Sequence, residues 1–322
     1  MKLVKKLIKK IFFFVYKFFH IRIHSDSIIV HTKSCSSATE KAALLFFADH
    51  IFESYDLDIN YLFHRVGKIN LAYGSSKQNF TSWHISRFKV YNHKKSLVLE
   101  QPIYNRGLVT ENYSSSSFRV GINGFLKNNC IQFAKIFKND SFFTHNNNQL
   151  FKIVKPWKKF NFREALIVGQ VPNDASLSGR NIYLWIDEVI DCITPFFDKI
   201  TIRTPQIQYK EYFKKFPNIN IEKGTYENKI KSLNRVSAVF TFSSTFAVDA
   251  AIYGVPVFAD DIGNFLYDLA PNHYQISKSF EYKYFDRKKV VNDLKKYQLS
   301  YTNLTDKRLS KYISKKLNEF FF

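Results

Sequence analysis

The sequence predicts an α/β protein built on parallel sheets, and three observations lead there. Beyond residue 164, short apolar strands alternate with amphipathic helices four times over, the pattern of a parallel, doubly wound sheet with right-handed crossovers. Residues 27–155 carry further strand-like runs, "SIIVH", "KINLA" and "SLVLE", beside the helix-like "SATEKAALLFFADHIFESY". The chain has 322 residues, 45% of them apolar and 17% aromatic, enough for two ordinary domains with a sizeable core.

Taken in order, the chain opens with "MKLVKKLIKKIFFFVYKFFHIRIH". Leu3, Val4, Leu7, Ile8, Ile11, Phe12 and Val15 recur on one helical face, and Lys2, Lys5, Lys6, Lys9 and Lys10 on the other. The uncharged run 11–16 is too short to span a bilayer, which takes about 20 residues. No small-residue cleavage site follows the basic start. Residues 1–25 are therefore expected to form a basic amphipathic helix suited to an anionic membrane surface; a terminal helix packed on its own domain is the alternative. Residues 26–155 are expected to form an N-terminal α/β domain. Near "KIVKPWKKFNF", lysines and Pro156 interrupt the pattern.

Residues 156–275 are expected to form a Rossmann-like domain. Its strands are "ALIVG", "KITIR", "NINIE", "SAVFT" and "VPVF"; its helices are "NIYLWIDEVIDCIT", "YKEYFKKF", "YENKIKSLNR" and "STFAVDAAIY". Residues 276–322 turn Lys- and Tyr-rich and are expected to end in the basic helix "TDKRLSKYISKKLNEFF".

The net charge of +21 predicts an anionic partner. Nucleic acid is disfavoured, because the aromatics sit in apolar runs and no RNA-binding signature occurs. Cys35, Cys130 and Cys192 lie far apart without a CxxC, which argues against a disulfide framework and a zinc site and suits a reducing cytoplasm. "HIRIH" alternates like a strand, so His20 and His24 are not expected to hold a metal. The "DLD" at 56–58 is too short a match to carry metal chemistry. Neither a Walker A motif nor a G-x-G-x-x-G fingerprint occurs.

Three constellations can carry chemistry. Asp174 falls five residues past the strand "ALIVG", at the rim where open α/β sheets bind ligands; a turn or cap role is the ordinary alternative. Ser243, Ser244 and Thr245 follow the strand "SAVFT" at the start of a helix and offer three hydroxyls to a phosphate, where capping needs one. Asp249, one turn later, would reach a ribose or favour the helix dipole. Glu100 ends a strand and Arg106 follows at the next bend, as an acid/base with an anion-holding cation or as a surface ion pair.

"KPWKKFNFREALIVGQVPNDAS" resembles the core of the bacterial retaining β-Kdo transferases of capsule and related polysaccharide assembly. The shared pattern is Pro156, Trp157, a strand, then Gln170, Asp174 and Ser176. "WIDEVIDCITPFFDKITIRTP", "SSTFAVDAAIYGVPV", and "LEQPIYNRGL" with "FRVGINGFL" resemble further segments of that family, over roughly residues 95–260. The resemblance implies a two-domain GT-B-like fold with Asp174 as nucleophile, Glu100 as acid/base, and Ser243, Ser244 and Thr245 at the phosphate of CMP. Gln170, Ser176, Arg203 and Arg106 complete the implied donor site. One position departs from the family pattern: Thr204 precedes Pro205 where a His-Pro is usual. Arg203 then stands in for the histidine, and the donor is open to another CMP-nonulosonate.

The sequence thus leads to a cytoplasmic glycosyltransferase, peripheral on an anionic inner membrane. It would move Kdo from CMP-Kdo to a saccharide or glycolipid acceptor with retention, without metal or cofactor. A transferase for a sialic-acid-like sugar, a non-catalytic polysaccharide-assembly protein and a basic nucleic-acid-binding protein are the alternatives.

Overall fold

A computed structural model of the chain describes residues 22–24, 27–32, 35, 38–57, 64–66, 69–74, 96–101, 103, 117–137, 154–172, 174–177, 179–204, 216 and 218–321. The expected amphipathic helix lies outside the described residues up to 21. Its last turn is corrected: Arg22–His24 is a strand, β1, paired in parallel with β4 (His64–Val66).

The first large sheet has six strands: β2 (Ile28–His31), β3 (Asp56–Leu57), β5 (Ile69–Tyr73), β6 (Ser96–Glu100), β7 (Ser117–Ile122) and β13 (Gln298–Ser300). Their order is β13-β7-β6-β5-β2-β3. β3, β2, β5 and β6 run parallel, while β7 is antiparallel to both β6 and β13. Helix α1 (Ala38–Ile51) packs on this sheet through Leu44, Phe47, Ala48 and Ile51, and α2 (Lys127–Ile136) through Phe133.

The second sheet has β8 (Glu164–Val168), β9 (Lys199–Thr204), β10 (Ile219–Lys223), β11 (Ala238–Thr241) and β12 (Val257–Ala259). All five are parallel, in the order β10-β9-β8-β11-β12. Chain direction across the sheet reverses between β8 and β11, so this junction is the topological switch point. β8 and β11 are buried throughout, which explains their unbroken apolar runs. Helix α3 (Ile182–Ile193) covers one face with Trp185, Ile186, Val189 and Ile193, spaced for one helical side. Helices α4 (Tyr226–Arg235), α5 (Phe246–Ile252) and α6 (Arg287–Lys295) supply a separate core with Leu233, Ala247, Val248, Val291 and Leu294.

The expected joint near Pro156 is fastened to this second layer. Lys158 Nζ donates to the carbonyls of Leu233, Asn234 and Val236 at the end of α4. Burial, with Lys155 nearby, lowers the Lys158 ammonium below its ordinary range. Trp157 packs among Tyr282, Tyr284 and Phe285, with the Arg287 guanidinium 4.1 Å above its ring.

The C-terminal segment divides its loyalties. α6 serves the second core, but β13, α7 (Tyr301–Thr305) and α8 (Lys307–Phe321) complete the first. Leu299, Leu304, Leu309, Ile313, Leu317 and Phe321 are all buried there. The fold is thus mixed α/β with parallel sheets, compatible with a Rossmann-like or GT-B-like arrangement. No helix among the described residues is long and apolar enough to cross a membrane.

Candidate functional site

β8 ends at Val168, and the chain turns through Gly169 to Gln170 at the switch point. The Gln170 amide reaches across to the loop after β11. Its Nε2 donates to Ser176 Oγ (2.8 Å) and Ser243 Oγ (3.0 Å), and its Oε1 accepts from Ser243 N (3.0 Å). Ser243 Oγ donates to the Ser176 carbonyl at 2.7 Å. One amide and two hydroxyls therefore tie the β8 loop to the β11 loop. The single hydroxyl proton of Ser243 is engaged inside this clamp.

Asp174 lies in the same loop, half-buried, ahead of a 3-10 turn over Ala175–Leu177. Its Oδ1 accepts from Ser176 N at 2.8 Å, the cap expected of a turn aspartate. Oδ2 has no hydrogen-bond partner among the described residues. Asp174 also lines the cleft described below, so the capping role and the rim position coexist in one side chain.

After β11, Ser244 Oγ accepts from Phe246 N at 3.2 Å and begins α5. Thr245 is 6% exposed, and its Oγ1 is buried without a hydrogen-bond partner. Asp249 forms a buried ion pair with Lys229 of α4. At the end of β9, Arg203 donates to Glu222 Oε1 (3.3 Å) and to the Thr225 carbonyl, and its guanidinium stands 5.3 Å from the Phe246 ring centre. Burial pulls the Arg203 guanidinium down from its usual range, against the opposing pull of Glu222.

From the first sheet, Glu100 closes β6, 3% exposed, and accepts from Gln101 N at 2.8 Å. Arg119 of β7 is its partner in register. The Arg119 guanidinium sits 5.2 Å from the Phe125 ring and 5.7 Å from the Phe265 ring. Cys130, fully buried nearby, is pushed up to about 12 by burial, with Arg119 opposing and Glu100 adding to the shift; its thiol stays protonated at neutral pH.

These residues converge on one cleft of about 400 Å³. Glu100, Gln101, Arg119 and Phe125 line it from the first sheet; Gln170, Asp174 and Ser176 from the β8 loop. Arg203 and Thr204 come from β9, Lys229 from α4, and Ser243, Ser244, Thr245 and Asp249 from the β11 loop and α5. Every sequence-predicted site residue that the structure describes lies on this cleft. Arg106 and Pro205 lie outside the described residues. Pro156 and Trp157 do not line it; they belong to the fastening of the joint.

Two cations at the cleft escaped the sequence reading. Arg119 lies in the quoted "FRVGINGFL" segment behind the polar "SSSS" run, and it is the strand register opposite Glu100 that brings it to the cleft. Lys229 looks like one more lysine of a solvated helix face, and only the packing of α4 against α5 turns it inward. No group of three or more His, Cys, Asp or Glu side chains able to hold a metal occurs among the described residues.

Two solved structures share the fold. One is the Thermosulfurimonas dismutans KpsC, beta Kdo 2,4 transferase: 12% identical, TM-score 0.50, with 92% of this chain and 99% of that chain covered. The other is the Thermosulfurimonas dismutans KpsC, beta Kdo 2,7 transferase: 14% identical, TM-score 0.50, with 86% and 92% covered. At these identities the likeness concerns the fold. No protein-family model matches the sequence, and no curated protein matches it.

Proposed function

We propose that the protein is a glycosyltransferase that takes a ulosonic acid, Kdo in the first instance, from a CMP-linked donor and transfers it with retention to a saccharide or glycolipid acceptor. The observation that carries this reading is the convergence of Asp174, Glu100, Arg203 and the 243–245 hydroxyl segment on one cleft at a sheet switch point, in a fold similar to two Kdo transferases.

In the proposed first step, an Asp174 oxygen attacks the anomeric carbon. The bond from that carbon to the phosphate oxygen breaks, and CMP leaves with its electron pair. In the second step the acceptor hydroxyl attacks the same carbon, Glu100 takes its proton, and the Asp174 carboxylate is released. Two inversions give retention. CMP leaves as a stabilised anion, so the scheme needs no metal. Ser244 and Thr245 are the hydroxyls assigned to the phosphate, and Arg203 supports the departing charge. Thr204 lines the cleft where the family pattern has histidine, and this favours as second reading a donor carrying another nonulosonate, such as a sialic-acid-like sugar.

The test is incubation with a panel of CMP-sugars, reading CMP release and protein mass. Release with CMP-Kdo alone supports the first reading; release with another CMP-nonulosonate supports the second; none with any donor refutes both.

The same reading puts the protein in the cytoplasm, on the anionic inner leaflet. Residues 1–22 carry seven Lys or Arg and no acid among many apolar side chains. The full chain should pellet with anionic vesicles, less so at high salt. Equal pelleting of a chain lacking residues 1–22 refutes this role for the segment.

A further inference from the structure

The Arg203 guanidinium does not reach the cleft alone. Glu222 of β10 is its partner in register, and Glu222 does not itself line the cleft. Glu222 Oε1 accepts from Arg203 at 3.3 Å and from the Ser232 hydroxyl of α4, and its Oε2 accepts from Arg235 at the end of α4 at 3.1 Å. Arg235 in turn donates its Nε to Glu164 Oε1 at 2.7 Å, and Lys199 Nζ lies 3.7 Å from that same oxygen. Charges therefore alternate from the cleft outward through Arg203, Glu222, Arg235, Glu164 and Lys199. One carboxylate, Glu222, is divided between two arginines, an oxygen to each.

That division acts on geometry and on charge. Arg203 is 6% exposed, with Nη1 on Glu222 and Nη2 on the Thr225 carbonyl, so its guanidinium plane is fixed before any ligand arrives. A carboxylate held by Arg203 alone would cancel its charge; one shared with Arg235 leaves part of that charge to the cleft. With no carboxylate behind it, a buried guanidinium would hold a phosphate anion tightly and slow its departure after each turnover. We propose that Glu222 is a positioning residue that aims Arg203 and limits how tightly the cleft holds a phosphate anion, with Arg235 setting how much of that limit Arg203 feels. This rests on the CMP-donor reading of the cleft, which puts the phosphate beside Arg203.

The test is calorimetric titration of the full chain with CMP, and with cytidine as the ligand that lacks the phosphate. Glu222→Gln keeps the size and an acceptor oxygen but removes the negative charge. It should bind CMP roughly tenfold tighter, the scale for one unit charge about 10 Å from the phosphate at an effective dielectric of about 20. Arg235→Gln removes the competing cation and should weaken CMP binding. The loss should be only roughly two- to threefold, because the Arg235 side chain is 41% exposed and screened by solvent. Arg235→Lys keeps the charge and should restore the affinity. Glu222→Gln and Arg235→Gln each lose an ion pair, and a merely structural role would weaken CMP binding in both, so the opposite signs decide. Unchanged or weaker CMP binding by a folded Glu222→Gln overturns the proposal, as does an equal gain for cytidine. If Glu222→Gln does not fold, Arg235→Gln decides: wild-type affinity, or a loss that Arg235→Lys does not restore, overturns it. If the wild type binds no CMP, the donor reading itself fails, and the proposal fails with it.

Discussion

Asp174 is asked to do two things at once. One carboxylate oxygen holds the turn by accepting from Ser176 N, while the residue lines the cleft beside the clamp of Gln170 and Ser243. The cap fixes the carboxylate's position, so an attacking oxygen would be aimed before any donor arrives. An amide retains the cap through its oxygen but is a far weaker nucleophile. Asp174→Asn should therefore fold with a melting temperature close to wild type, bind CMP unchanged, and lose transfer by roughly a thousandfold or more. With wild type, donor and no acceptor, peptide mass spectrometry should find the sugar on the peptide bearing Asp174. An adduct elsewhere, or an active Asp174→Asn, removes the assignment. At this scale, the sequence was informative about side chains that loops present: Asp174 and Ser244 stand where strand ends put them. It was silent about Lys229, whose inward turn depends on a helix packed 20 residues away in sequence.

Between elements, the site depends on two joints. The first is the Gln170 clamp across β8 and β11. Gln170→Leu keeps the volume but leaves Ser243 N without its acceptor and takes the Nε2 donor from two hydroxyls, and should cost roughly 1–3 kcal/mol in denaturant unfolding. Because the clamp holds the Asp174 loop against the loop after β11, activity should fall further than stability alone explains. A variant with wild-type turnover would show that the loops hold without it. The second joint is the end of α5. Gly254 N donates to the Ala251 carbonyl and Val255 N to the Ala250 carbonyl, a Schellman ending with Gly254 at φ +79°. A Cβ there would lie 2.0 Å from the Pro156 carbonyl oxygen. Gly254→Ala should cost about 1–3 kcal/mol for the left-handed backbone, and more for displacing the 155–158 segment. Thermal unfolding measures it, and a melting point equal to wild type would contradict the close approach. The strands of the second sheet are legible in the sequence because strands buried on both faces read as unbroken apolar runs. β7, β13 and α2 are not, for physical reasons. "QLS" becomes a strand only by pairing with β7 far upstream, and "KNNCIQFAKI" opens on two asparagines that weaken its helical signal.

Across the whole molecule, charge and core are distributed in ways that no local reading exposes. The net charge is +21, yet the cleft's Arg119, Arg203 and Lys229 are matched by Glu100, Asp174 and Asp249. The excess lies elsewhere, notably in residues 276–322, with twelve Lys or Arg against five Asp or Glu. Lys307, Arg308, Lys311 and Lys315 are exposed on α8, while Leu309, Ile313, Leu317 and Phe321 of the same helix enter the first core. The outer face can attract anions at a distance, and the inner face is structural. A chain ending at residue 296 tests the second half of that statement. It lacks β13, α7 and α8, and with them six buried apolar side chains of the first core. At about 1.5–3 kcal/mol for each buried side chain, the loss is on the order of 10 kcal/mol, comparable to the whole stability of a typical domain. The truncated chain should be insoluble or bind hydrophobic dyes, without a cooperative thermal transition. Replacing Lys311 and Lys315 by Gln alters only the outer face and should move stability by no more than about 0.5 kcal/mol. A soluble, cooperatively melting truncation would show instead that 297–322 is a basic appendage and that the first core closes without it.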